Sequence, residues 1–387
     1  MVPCLNADIL YLFFDSANMH RWNDHLRPVD LTEIDKQAHK AMIAWVLASY
    51  EEAAGNSIDW PVLIEHGMFS FIQRAVLTDL KPQVFHKIVA ERRGQVADYV
   101  ISEFDRLVPD ADPRLRGRFR EYLYDEPRTK EDAVLRAAHY IATRWEFNLI
   151  YDSNRSIYGI DRTREEIDEQ INQHQDLVGM RDAMSPGSGT FSLIDLFGQL
   201  RFQQRWARTP RIPKTSVLGH SLMVANMMYL HDCDVAADDR SIYNDYYTGL
   251  FHDLPEVLTK DVITPIKVNV DGLAALLEDF EHDLIESTIM PLIDDAWKDR
   301  FRFLVYDPFS DEDHPEYGVR RGSDVKACDL FAAYMEAYIS VKYGVSSSAL
   351  REGCQGIRDK LVEKGKGIDA MALVDRLDKM RIRIFLE

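Results

Sequence analysis

His252 and Asp253 stand side by side in an apolar run that reads as helix, directly after Gly249-Leu250-Phe251. Imidazoles and carboxylates rarely occupy such surroundings unless they are paired or bind a metal. Neighbouring positions on a helix point about 100° apart, so the pair can lean one nitrogen and one oxygen donor toward a single ion. His220, upstream on a second apolar helix, can add another imidazole. Asp329, in Lys326-Ala327-Cys328-Asp329-Leu330, can add another carboxylate from a third. Such a donor set suits Mn²⁺, Co²⁺, Zn²⁺ or Fe²⁺, with Mg²⁺ a further candidate, and leaves room for water or substrate. The lack of a cysteine donor argues against a closed structural zinc site.

Glu256 follows the pair by four and three residues, which on a continuous helix is the same face. A carboxylate there lies beside the ion without binding it and can carry a proton between water and a leaving oxygen. Arg205, fifteen residues before His220, offers a planar fork suited to phosphate. Asp261 and Lys267, in the run Leu258 to Lys267, are candidates for sugar and phosphate contacts, with Pro265 expected to break the helix.

The elements that must hold these groups read as helices. Val217, Leu218, Leu222, Ala225, Met228 and Tyr229 recur three and four apart, as do Leu330, Phe331, Tyr334, Ala337, Tyr338 and Val341. Strand-like alternation is hard to find. Gly and Pro together number 34 of 387 residues, below average usage, which favours long helices over many turns. The fold class expected is all-α. Ser185-Pro-Gly-Ser-Gly-Thr190 is the plainest linker, and the charged stretch from Asp307 to Ser323 reads as an inserted loop.

A linker at mid-chain invites a search for a repeat, and one is present. Arg21-Trp22 answers Arg205-Trp206; the segment around His39 resembles that around His220; the segment with His66 can be laid on that with His252; and His139 answers Asp329. The expected organisation is therefore two tandem helical domains, 1–184 and 185–387. In the first, the His-Asp pair becomes His66-Gly67 and the second carboxylate becomes His139, so the anionic donors for a hard dication are gone. The first domain reads as a catalytically inactive copy.

Charge and cysteine usage narrow the partners. With 46 basic against 64 acidic residues, the formal charge of −18 speaks against docking on nucleic-acid polymers or anionic membranes. It leaves open a small phosphorylated substrate held by a metal and one Arg. The longest early apolar run, Ile9 to Phe14, is too short for a signal peptide or membrane span. Four scattered cysteines fit a reducing cytosol, so a cytoplasmic protein is expected.

The second half resembles the HD-domain phosphohydrolases. His220, His252-Asp253 and Asp329, with HDLPEVLTKDVITPIK and KACDLFAAY, are most similar to the bacterial 5′-deoxynucleotidase branch, and the likeness runs from about Leu196 to Lys342. The resemblance implies that His220, His252, Asp253 and Asp329 bind one divalent metal, that Glu256 is the catalytic acid/base, and that Arg205 holds the phosphate. It likewise implies that Trp206 and Asp261 shape the sugar pocket. Two positions depart from the family pattern: Gly219 stands where Glu usually precedes the His, and Cys328 replaces Ala before the last Asp. Members of this branch pair as homodimers; a tandem copy would build that pairing into one chain, with a homo-oligomer an alternative.

The function expected is removal of phosphate from 5′-(deoxy)nucleoside monophosphates by a metal-dependent enzyme. Its rivals are a deoxynucleoside triphosphate triphosphohydrolase and a nucleotide-binding regulatory protein. An intact acid/base at Glu256 argues against the last, since binding alone does not need it.

Overall fold

The computed structural model describes residues 2–77, 82–125, 129–259, 273–345 and 347–380. The chain is all-α, as its periodicity predicts. In order, the helices are α1 (Ala7–Asp15), α2 (Glu33–Ala53), α3 (Trp60–Leu77), α4 (Pro82–Leu107), α5 (Pro113–Tyr124), α6 (Lys130–Tyr151), α7 (Ile160–Asn172), α8 (Met180–Met184) and α9 (Gly189–Gln199). They continue with α10 (Val217–Val235), α11 (Asp239–Phe251), α12 (Glu256–Thr259), α13 (Leu273–Leu284), α14 (Lys298–Val305), α15 (Gly322–Lys342), α16 (Ser348–Lys364) and α17 (Ala370–Lys379).

Local sequence fixes where the central helices begin. Thr32 caps α2 by accepting the Asp35 amide, Ser216 caps α10 by accepting that of Gly219, and Asp238 caps α11 through Arg240 and Ser241. At α6 the Thr129 and Asp132 side chains satisfy each other's backbone amides in a capping box. Helix α10 is buried on all sides from Val217 to Asp232, the condition of a helix at the centre of a larger core.

That core runs without a break through both halves of the chain. Trp45 of α2 is fully buried. Its ring centroid lies 5.0 Å from Phe251 at the end of α11, 5.0 Å from Trp297 and 5.2 Å from Phe301 of α14. Its indole N–H donates to the Tyr243 hydroxyl at 2.8 Å. The Ser185–Thr190 segment turns through Gly187 at φ 91° and places Ser188 as the cap of α9, which packs against α2.

The stretch read as an inserted loop contains a small antiparallel hairpin, β1 (Glu312–His314) paired with β2 (Gly318–Arg320). Strands of three residues are too short to show the period-two alternation by which strands are recognised. Arg320 anchors the hairpin: it is fully buried, bonds Glu312 at 2.9 Å and donates to the carbonyls of Tyr306 and Phe303.

Candidate active site

Three helices and one extended segment meet at the residues singled out from sequence. His220 is the fourth residue of α10, one turn inside the Ser216 cap. His252 closes α11 as its C-cap, and Asp329 lies in the second turn of α15. Between α9 and α10 the chain forms an antiparallel bridge, Gln204 to Ser216, with Arg205 N donating to Thr215 O at 3.0 Å. This bridge carries Arg205 and Trp206 to the same place.

The donor atoms converge. His220 Nε2 lies 3.0 Å from Asp329 Oδ1 and 4.0 Å from Asp253 Oδ2; His252 Nε2 lies 3.2 Å from Asp253 Oδ2 and 3.9 Å from Asp329 Oδ1. One ligand atom from each of His220, His252 and Asp253 falls within 4.8 Å of the others, a spacing a single ion can bridge. His252 Nδ1 donates to the Gly249 carbonyl at 2.8 Å, which turns the Nε2 lone pair toward the cluster. That buried Nε2 has no hydrogen-bond partner among the described residues. A buried acceptor in this condition costs about 1–3 kcal/mol, and a cation would relieve it. The residues present fit a divalent ion.

Electrostatics point the same way. Burial pushes Asp253 upward, but His252 at its side and Arg205 outweigh it and hold the carboxyl well below the usual carboxylate range. Burial likewise opposes ionisation of Asp329, and Lys326 and His220 overcome it. Burial and Arg205 would lower the pKa of His220; its hydrogen bonds to Asp329 and Glu336 raise it instead. Two ionised carboxylates are thus held ready, and an ion would compete with any proton for the imidazole lone pairs.

Glu336 is a member of the site that sequence reading missed. It lies seven residues after Asp329, two turns along the same face of α15, and is 2 % exposed. Its carboxylate accepts from Trp206 Nε1 at 2.9 Å, Thr215 Oγ at 2.6 Å and Arg205 Nε at 3.4 Å, and lies 3.7 Å from His220 Nδ1. An acid in the middle of the apolar run Phe331 to Ile339 was the available signal. Arg205 also gives Nη1 to Asp253 at 3.2 Å, so the guanidinium is braced between the two carboxylates at the edge of the cluster. Lys326 is a second addition: it bonds Asp329 at 2.7 Å and lies 4.1 Å over the Phe309 ring.

The other expected residues divide. Trp206 is half-buried and holds a left-handed backbone, φ 56°, a conformation that costs a side-chain-bearing residue roughly 1–3 kcal/mol. Its bond to Glu336 and the close approach of Gly353, where an added Cβ would meet the ring at 2.9 Å, fix it there. Glu256 is near the cluster, within electrostatic reach of Arg205, but not by the expected route. The His-Asp pair and Glu256 do not share one helix: α11 stops at Phe251, three-residue turns carry the backbone to Pro255, and Glu256 opens α12. Pro255 disfavours helical backbone at Leu254 and has no amide to continue the ladder. Asp261, Lys267 and Pro265 lie outside the described residues.

Gly219 and Cys328 each have a physical account. A Cβ at 219 would come 2.8 Å from Asp35 Oδ1 and 3.0 Å from Ile34, so α2 of the first half fills the space where a larger residue would stand. Cys328 is fully buried against Met228, 3.5 Å between sulfurs, and burial pushes its thiol well up. All four cysteines are free thiols.

A local correspondence between α2 and α10 has a register other than the one expected from sequence. The caps and bridges of α2 and α10 correspond through Thr32 and Ser216, which sets Lys36, not His39, level with His220. His39 lies one turn further along, its Nε2 2.9 Å from the Ile194 carbonyl. His66 pairs with Asp132 at 2.9 Å and with the Tyr122 ring, away from the place that answers His252. Apolar helices can slip by one turn and still match in hydrophobic pattern, because their period is 3.6; only the caps decide.

Residues 197–357 match a family model described as HD domain. A 5′-deoxynucleotidase of Shewanella oneidensis is 25% identical over 143 residues, which span 36% of this chain and 68% of the relative. The matched stretch contains the cluster described above. Among the described residues, no helix is long and apolar enough to cross a membrane.

Proposed function

We propose that this protein is a divalent-metal-dependent phosphohydrolase that removes the phosphate from 5′-(deoxy)nucleoside monophosphates. The observation that carries the reading is the convergence of His220, His252, Asp253 and Asp329 from three helices, with Arg205 braced at the edge. The HD-domain match and the deoxynucleotidase relative support it. His220, His252, Asp253 and Asp329 would hold the ion, in keeping with Mn²⁺, Co²⁺, Zn²⁺, Fe²⁺ or Mg²⁺. When bound, such an ion supplies Lewis-acid chemistry, drawing charge from phosphate oxygens and acidifying water.

The chain's own residues do the rest. Arg205 turns toward a phosphate the guanidinium N–H groups not used on Asp253 and Glu336, and those two carboxylates keep its plane fixed. Glu256, the first residue of α12, carries a proton to the departing 5′ oxygen. Lys326 lends positive charge beside Asp329. Trp206, pinned to Glu336, borders the space for the sugar. We read the first half as a non-catalytic partner domain, 1–184, packed on the catalytic one, 185–387, and the enzyme as cytoplasmic.

The test is a panel of nucleoside mono- and triphosphates assayed with Mn²⁺, Co²⁺ and Mg²⁺, following inorganic phosphate against triphosphate. Phosphate release from 5′-monophosphates is expected. Triphosphate release from nucleoside triphosphates would replace this reading with the triphosphohydrolase one, and no release of either would sink both.

A further inference from the structure

The framework that braces the candidate active site occurs twice. Arg21 Nε donates to Glu146 at 2.9 Å and Trp22 Nε1 to the same carboxylate at 3.1 Å, as Arg205 and Trp206 do to Glu336. Trp22 and Trp206 share the left-handed backbone, φ 54° and 56°. His20 bridges to Thr32 as Gln204 bridges to Ser216. With this frame aligned, the side chains at the ligand positions can be compared one by one.

Lys36 is the fourth residue beyond its cap, as His220 is, and His139 lies seven residues before Glu146, as Asp329 lies before Glu336. The two meet: Lys36 Nζ is hydrogen-bonded to the His139 ring, as His220 is to Asp329. Asp59 and Asp238 stand at the starts of α3 and α11, and counting from them puts Gln73 at His252, Arg74 at Asp253 and Leu77 at Glu256. Arg74 reaches Glu33 at 3.7 Å. The opening to solvent is kept as well: the side chains of Arg21 and Arg74 are 13% and 18% exposed, against 14% and 17% for Arg205 and Asp253.

What has changed is the sign of the charge. In the second half, Asp253, Asp329, Glu336 and Glu256 face Arg205 and Lys326, an excess of acid that a cation completes. In the first half, Glu33 and Glu146 face three arginines, Arg21, Arg74 and Arg201, beside Lys36, a buried amine whose pKa burial lowers, and every carboxylate at a ligand position is gone. Arg21 spends Nε and Nη1 on these acids and keeps Nη2 clear of them. Arginine forks that reach solvent in part, beside the N–H donors of a buried lysine, form a donor set for a tetrahedral oxyanion.

We propose that the first half retains this pocket as a metal-independent anion site, which binds the phosphate group of a small phosphomonoester and does not cleave it. The proposal rests on the shared framework and not on the activity of the second half. It is tested with the full-length protein in EDTA, by calorimetric titration with inorganic phosphate and, separately, with adenosine 5′-monophosphate. One site per chain is expected for the monophosphate. Its affinity should fall at least about tenfold in Arg74→Gln, the loss of one charge-assisted contact, and severalfold in Lys36→Met, the loss of a neutral donor. It should stay within about twofold in Arg205→Gln. Metal-dependent turnover of Arg74→Gln, with unchanged circular dichroism, certifies that the fold is intact. Absence of binding, affinity lost in Arg205→Gln, or affinity indifferent to both first-half substitutions would overturn the proposal. Binding of inorganic phosphate alone would overturn the monoester assignment.

Discussion

Trp45 offers the sharpest test of how the first half supports the second. It belongs to α2, yet three of its ring neighbours, Phe251, Trp297 and Phe301, and its hydrogen-bond acceptor, Tyr243, belong to the second half. A buried Trp removes roughly 150–250 Å² from water, worth about 4–6 kcal/mol at 25 cal/mol/Å². Trp45→Ala keeps part of that, leaves a cavity, and deprives the Tyr243 hydroxyl of its donor; truncations of this kind cost about 3–5 kcal/mol. Against a total stability of roughly 5–15 kcal/mol, that is about a fifth or more. Phe251 directly precedes His252, so the loss should be felt at the candidate site as well. The assay is urea unfolding followed by circular dichroism, with and without Mn²⁺. One transition shifted by about 4 kcal/mol is expected, with a shift of about 2 kcal/mol in Trp45→Phe and weaker stabilisation by Mn²⁺ in both. A shift below about 1 kcal/mol, or two transitions of which only one moves, would refute a shared core.

Two further outcomes follow from buried charge. Glu336→Gln keeps the shape but removes the charge that braces Arg205; phosphate release should fall about 10–100-fold, with more of the loss in KM than in kcat, as steady-state kinetics will show. Lys40 is buried beside Ser70, and burial, only partly offset by Glu33 and Asp132, lowers its pKa to about 8 from the unfolded 10.5. Between those values the unfolded chain binds the extra proton, so this group makes stability rise with pH, by up to about 1.4 kcal/mol per unit. Urea unfolding of wild type and Lys40→Met at pH 8, 9 and 10 isolates the term: the wild type should gain on the variant across that window, and parallel curves would contradict it.

The helical fold was legible because apolar residues recur three and four apart in almost every segment, and because capping side chains such as Thr32, Ser216 and Asp238 mark the starts. The cluster was legible because His252, Asp253 and Asp329 are conspicuous in apolar runs. Glu336 was equally conspicuous, but an acid on a helix is ordinarily a solvated one, and only tertiary packing brings Arg205 and Trp206 to it. The end of α11 was missed because helical hydrophobic pattern continues past Phe251 to Leu254 and Val257, although Pro255 ends the ladder. The one-turn difference between α2 and α10, Lys36 rather than His39 level with His220, has the same root: periodicity fixes a face, not a turn.

We propose that His220, His252, Asp253 and Asp329 together hold one catalytic ion. The most direct test is inorganic phosphate release from a 5′-deoxynucleoside monophosphate, titrated with Mn²⁺, in wild type and Asp253→Ala. Saturable release that EDTA abolishes is expected, with at least about a hundredfold loss in the variant and its circular dichroism unchanged. Release undiminished by EDTA, or equal in the variant, would contradict it.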